Sequence, residues 1–128
     1  MKTIGIGVDI VDNNRIKSLI KNKKFVNRIF SKKEITISKK YLNKTNFFSK
    51  RFAAKESFAK ALGTGFRNSL NLKDIEIIND KLGKPYYFIS PKIKKLIKKK
   101  KKTKNFQLFL SISDEKDYSV AFTIIQKI

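Results

Sequence analysis

Two carboxylates in separate segments, each with cations close by, define the chemistry open to this chain. Asp9 lies in GIGVDIVDNNRI (residues 5–16), between apolar residues. Glu56 lies in RFAAKESFAKALGTG (residues 51–65), beside Arg51, Lys55 and Lys60. No His and no Cys occurs anywhere in the chain, so the ligands that zinc favours are missing. Carboxylate oxygens suit a hard cation such as Mg²⁺, which fills its remaining positions with water and phosphate oxygens. Lys and Arg suit the phosphate itself. The residue types point to phosphoryl chemistry rather than acyl or redox chemistry.

Two elements must bring these groups together. Residues 3–11 alternate, with Ile4, Ile6, Val8 and Ile10 on one face and Gly5, Gly7 and Asp9 on the other, which reads as a half-buried strand. The glycines clear the space beside Asp9 and leave that face open to approach. Residues 46–62 read as a long helix of good helix formers, with Gly63 as its left-handed stop. Phe48, Phe52, Ala59 and Leu62 form its apolar stripe, and Arg51, Lys55, Glu56 and Lys60 its polar sides. If the helix crosses the glycine face, Asp9 and Glu56 converge. Otherwise Glu56 and Lys60, at i and i+4, make a surface ion pair of about 0.3–0.5 kcal/mol.

The rest of the chain supplies the frame. Asp12 caps a helix through Arg15, Ile16, Leu19 and Ile20, and a short helix follows through Phe25, Val26, Ile29 and Phe30. Ser31 and Glu34 make a capping box for a third helix. Residues 72–78 and 86–89 read as a hairpin about the turn at 80–83. Ser90-Pro91 opens a helix that ends in the lysine run 98–102, where cations suit the helix dipole. Residues 106–112 and 118–125 form a last hairpin. Phe52, Phe58, Phe109 and Phe122 fit core periodicity. The expected fold is α+β, in the order strand, three helices, two strands, helix, two strands, with mostly antiparallel pairing around the long helix.

The length, 128 residues, fits one domain spanning 1–128. The net charge of +21 attracts polyanions of any kind, so a basic nucleic-acid-binding module is the alternative reading; no DNA- or RNA-binding motif accompanies the charge. Only Arg15, Arg28, Arg51 and Arg67 among the basic residues are Arg, which singles out those positions. No apolar run approaches the ~20 residues of a bilayer span, and the start has no signal-peptide pattern; a cytoplasmic location is expected.

GIGVDIVDNNRI and RFAAKESFAKALGTG resemble, at matching spacing, the two motifs of the holo-[acyl-carrier-protein] synthase family, as do the GKP turn at residues 83–85 and SIS at residues 111–113. The resemblance covers nearly the whole chain and agrees with the expected order of elements. It implies transfer of 4′-phosphopantetheine from coenzyme A to a Ser of apo acyl carrier protein, with release of adenosine 3′,5′-bisphosphate. It implies that Asp9 and Glu56 hold Mg²⁺ and that Lys60 contacts the phosphates. Arg51, Gly65, Gly83, Lys84 and Pro85 would hold the nucleotide end. It further implies a homotrimer with sites at subunit interfaces, to which Ile112, Ser113 and Asp114 come from a neighbouring chain. Asp114 stands where members often carry a His, and its charge argues against a phosphate-binding role. Arg15, with Lys17, Lys21 and Lys24 beyond it, would face the acidic carrier. With no His available, the general base is a carboxylate such as Glu56 or a water held by the metal.

Overall fold

The structure is a computed structural model describing residues 1–63 and 70–128. Gly65 and Arg67 lie outside the described residues. The described elements run β1 (Lys2–Asp12), α1 (Asn13–Leu19), α2 (Lys23–Ile29), α3 (Lys32–Ser38), α4 (Lys44–Leu62), a 3₁₀ turn (Leu72–Asp74), β2 (Glu76–Asn79), β3 (Pro85–Phe88), α5 (Pro91–Lys101), β4 (Phe106–Asp114) and β5 (Tyr118–Lys127). One antiparallel sheet has the order β1-β5-β4, and β2 and β3 form a separate hairpin. The α+β class and the element order are as expected. The expected strand over 72–78 is shorter: its first residues form the 3₁₀ turn, whose Leu72 carbonyl accepts a bond from buried Lys55.

The helix ends follow their local chemistry. Asp12 caps α1 by accepting from the Asn14 amide at 2.9 Å. Both arms of the Ser31–Glu34 capping box are made. Ser90 caps α5 with Pro91 at its first position. Gly63 ends α4 at φ 86°, the left-handed region that suits a residue without Cβ. Asn43, rather than a later residue, caps α4 and lengthens it by two residues at the start.

The sheet meets α4 through the glycine side of β1, and the contact is close. A Cβ at Gly7 would collide with the Ser57 carbonyl oxygen and come within 2.6 Å of the Ala61 amide. One at Gly5 would strike the Ala61 carbonyl. The glycine face is therefore the one that the helix crosses, using the space the missing side chains leave. The opposite face is the exposed one: Ile6 is 59% and Ile10 65% exposed, and Val8 is likewise outside. Val8 pairs with Phe122, and Phe109 with Ile124, on this same outer face. Phe109 and Phe122 are consequently exposed and not in the core, whereas Phe52 and Phe58 are buried as expected.

Because α4 is covered on nearly all sides, polar residues are buried along it. Ser57 Oγ and Thr123 Oγ1 lie 2.6 Å apart, Tyr87 Oη is 2.7 Å from Thr123 Oγ1, and it donates to the Ala54 carbonyl at 2.7 Å. These bonds join the helix, the larger sheet and the β2–β3 hairpin. Lys55, expected on a polar side, is fully buried instead. Its Nζ donates to Glu34 Oε1 at 2.7 Å and to the carbonyls of Leu72 at 2.9 Å and Ile75 at 2.5 Å. Three acceptors match the three N–H bonds of an ammonium. Burial pulls its pKa down, while the Glu34 carboxylate opposes the shift. No described helix is long and apolar enough to cross a membrane.

Candidate active site

The close β1–α4 crossing decides which side chains meet. Gly7 seats the strand on the turn of α4 carrying Ser57 and Ala61, which puts Asp9 one residue pair along beside the turn carrying Glu56 and Lys60. Lys60 Nζ donates to Asp9 Oδ1 at 2.9 Å and to the Val8 carbonyl at 3.1 Å. The ion pair is thus made across the crossing, and the alternative pairing of Lys60 with Glu56 along the helix is not the one observed. Glu56 is half-buried. Burial first, then the Asp9 charge, push its carboxyl above the usual range; Lys60 and Arg15 pull it back. Asp9, Lys60 and Arg15 therefore all lie within electrostatic reach of Glu56.

Two carboxylates, offering only oxygen donors, form a set that suits Mg²⁺. No group of three or more His, Cys, Asp or Glu residues gathers among the described residues. A cation held by this pair would keep most of its positions for phosphate oxygens and water, as Mg²⁺ commonly does.

A cleft of about 180 Å³ lies farther toward the N-terminal half of α4, lined by Tyr41, Asn46, Phe47, Lys50, Arg51, Asn79, Gly83, Pro85, Ile112 and Asp114. Arg51 is only 4% exposed, with its guanidinium carbon 3.6 Å from the Phe47 ring centroid. Its Nη2 donates to Asn79 Oδ1 at 3.0 Å, and its buried Nε has no partner among the described residues. Burial lowers the Arg51 pKa, with Glu34 the main opposing charge. Lys50 and Arg51 give this cleft a positive wall, whose chemistry suits an anion.

Only some of the other candidate residues reach this cleft. Gly83 and Pro85 line it, in the turn where the Asp80 carboxylate accepts from the Leu82 and Lys84 amides at 2.9 Å each. Lys84 is exposed beside a second groove, between β3 and β4. Ile112 and Asp114 line the Arg51 cleft within one chain, while Ser113, pairing with Val120, faces the outer side of the sheet. Asp114 Oδ2 accepts from Asn46 Nδ2 at 2.5 Å. Arg15 and Lys17 on α1, Lys21 in the following turn and Lys24 at the start of α2 are all exposed.

Sequence reasoning missed Asn13 and Asn79. Asn13 donates to the carbonyls of Glu115 and Lys116 and accepts from Ser119, which pins the β4–β5 turn to the start of α1. Asn79 bridges Arg51 and the carbonyl of Gly83. Their signal in the sequence is only an amide beside a motif residue or a turn.

A small α+β fold with a carboxylate pair, a nearby lysine and a cleft lined by Lys50 and Arg51 along one central helix has the chemistry that a phosphate-handling enzyme needs. The sequence model of the 4′-phosphopantetheinyl transferase superfamily matches residues 5–123. A holo-[acyl-carrier-protein] synthase of Pelagibacter ubique is 61% identical over 127 residues, covering 99% of each chain. The crystal structure of the Neisseria meningitidis holo-[acyl-carrier-protein] synthase superimposes with a TM-score of 0.87 at 38% identity, covering 98% of this chain and 99% of that one. The Bacillus anthracis synthase, solved in complex with CoA (3′,5′-ADP), gives 0.82 at 33% identity over the full length of both. The chain belongs to the 4′-phosphopantetheinyl transferase superfamily and, within it, to the holo-[acyl-carrier-protein] synthases.

Proposed function

We propose that this enzyme, as one domain over residues 1–128, transfers 4′-phosphopantetheine from coenzyme A to a Ser hydroxyl of apo acyl carrier protein. The Ser oxygen forms a bond to the phosphorus that carries the pantetheine arm and gives up its proton to the general base, a carboxylate such as Glu56 or a water. The bond from that phosphorus to the bridging oxygen breaks, and adenosine 3′,5′-bisphosphate leaves with the electron pair. Asp9 and Glu56 would hold Mg²⁺, which when bound neutralises the diphosphate and stabilises the leaving group. The observation that supports this most directly is the meeting of Asp9, Glu56 and Lys60 across the β1–α4 crossing.

Phosphoryl transfer needs alignment and charge neutralisation more than covalent help. Lys60 supplies a fixed positive charge beside the carboxylate pair, where negative charge develops. Arg51, with its guanidinium over the Phe47 ring, takes a phosphate at the nucleotide end, with the turn carrying Gly83, Lys84 and Pro85 enclosing it. Gly65 belongs to the same expected set. Asp114, already bonded to Asn46, takes no phosphate. The exposed cations Arg15, Lys17, Lys21 and Lys24 face the acidic carrier protein, and Arg15 lies within electrostatic reach of Glu56, so a docked carrier would lie close to the metal pair.

The outer sheet face, with Ile6, Val8, Ile10, Phe109 and Phe122 exposed, supports self-association, and the family likeness makes a homotrimer the assembly we propose. Ser113 on that face would then lie at a subunit boundary beside a neighbour's site. A cytoplasmic location is part of the same reading. Incubation with apo carrier protein, coenzyme A and Mg²⁺ should add the mass of one phosphopantetheine to the carrier and release adenosine 3′,5′-bisphosphate. Excess chelator should stop both. Mass gain that persists in chelator would refute the metal role; no gain with any apo carrier would refute the transfer.

A further inference from the structure

We infer that Asn79 is a positioning residue that locks the Arg51 guanidinium to the β2–β3 turn and so sets the affinity for the nucleotide end of coenzyme A; this rests on the reading of the Arg51 cleft as the nucleotide pocket. Two bonds carry it. Asn79 Oδ1 accepts from Arg51 Nη2 at 3.0 Å, and Asn79 Nδ2 donates to the Gly83 carbonyl at 3.1 Å. Arginine only donates and a carbonyl only accepts, so a single orientation of the amide satisfies both.

The link has a task because the two parts it joins come from different elements. Arg51 sits mid-way along α4, and Gly83, at φ 86°, sits at the turn between β2 and β3. Both line the same cleft. The Phe47 ring centroid lies 3.6 Å from the guanidinium carbon, but a contact with a ring face has no fixed direction and leaves the group free to slide and turn. The bond from Asn79 removes that freedom and holds the guanidinium at the cleft wall as a fixed positive charge for an incoming phosphate. A short amide is the side chain that both accepts from the cation and donates to the turn. Asp keeps the acceptor, loses the donor, and places a carboxylate against both the Gly83 carbonyl and the ligand's phosphate. Leu keeps the volume and loses both bonds.

The test compares Asn79→Leu and Asn79→Asp with the unaltered enzyme in steady-state transfer and in calorimetric binding of adenosine 3′,5′-bisphosphate. A hydrogen bond to a charged group supports an expected loss of about tenfold for Asn79→Leu, and more for Asn79→Asp, in KM for coenzyme A and in bisphosphate affinity. KM for the carrier and kcat should stay within about twofold, since neither bond reaches the transferring phosphate. In an Arg51→Lys background, Asn79→Leu should cost little further, because residues that act as a unit are not additive. Equal losses in kcat and both KM values, tracking a drop in melting temperature, would overturn the inference, as would additive effects in the double variant. Failure of the unaltered enzyme to bind the bisphosphate would instead overturn the nucleotide reading of the cleft.

Discussion

Lys60 reaches across to Asp9 on the neighbouring strand, 2.9 Å from nitrogen to oxygen, in place of Glu56 one turn back on its own helix. The Lys60 side chain is 56% exposed, so the pair adds little to stability; exposed pairs are worth about 0–1 kcal/mol. Its consequence is positional. It holds a cation over the carboxylate pair before any phosphate arrives. Lys60→Ala should shift the melting temperature by no more than a couple of degrees. It should lower kcat by about a hundredfold, the scale of losing one charge-stabilising donor. Thermal melts and single-turnover kinetics on the same preparation check both halves.

Lys55 should behave in the opposite way. Replacing it with Met leaves Glu34 buried without its partner and strands the Leu72 and Ile75 carbonyls. Breaking a buried pair from one side costs about 3–5 kcal/mol, a large share of a small protein's stability. Urea unfolding should show that loss. Restoring a like-shaped apolar pair with Glu34→Leu alongside Lys55→Met should recover part of it.

Gly7→Ala tests the crossing itself. The new methyl meets the Ser57 carbonyl and the Ala61 amide, both backbone atoms that cannot swing aside. Over-packing of this kind costs about 1–3 kcal/mol, and it moves β1 away from α4, separating Asp9 from Glu56. Stability by urea unfolding and transfer activity should fall together, with activity falling further.

Tyr87 makes a pH prediction. Burial raises its pKa to about 12, with bonds to Thr123 and Ser57 opposing. The folded chain therefore holds that proton after the unfolded chain, near 10, has released it. The contribution is complete below pH 10 and is lost as pH rises through 12, about 2–3 kcal/mol over the window. Denaturant midpoints measured from pH 9 to 12 should fall more steeply for the unaltered chain than for Tyr87→Phe, and the variant should lose the phenolate absorbance that grows in near pH 12.

Local chemistry was legible in the sequence, and long-range chemistry was legible only in part. The caps at Asp12, Ser31, Ser90 and Gly63 follow from neighbours within a few residues, and each forms as read. The meeting of Asp9 and Glu56 was legible because the glycines of β1 leave only one close packing for a helix. That the apolar face would stay outside was not. Alternation reports two faces, and the usual inference buries Ile6, Val8 and Ile10; here the helix needs the glycines, and the apolar side is left outside with Phe109 and Phe122. Lys55 was unreadable because its partners, Glu34 and the Leu72 and Ile75 carbonyls, are far away in sequence. Asn79 was unreadable for the same reason, its partner Arg51 lying on another element.

The central claim is that Asp9 and Glu56 share one divalent cation. Mn²⁺ titration followed by electron paramagnetic resonance, with coenzyme A present, measures it directly. The unaltered chain should bind a single Mn²⁺ that Mg²⁺ displaces, and Asp9→Asn and Glu56→Gln should each weaken that binding by about a hundredfold or more while remaining folded. Folded variants that bind Mn²⁺ as tightly as the unaltered chain would contradict the account.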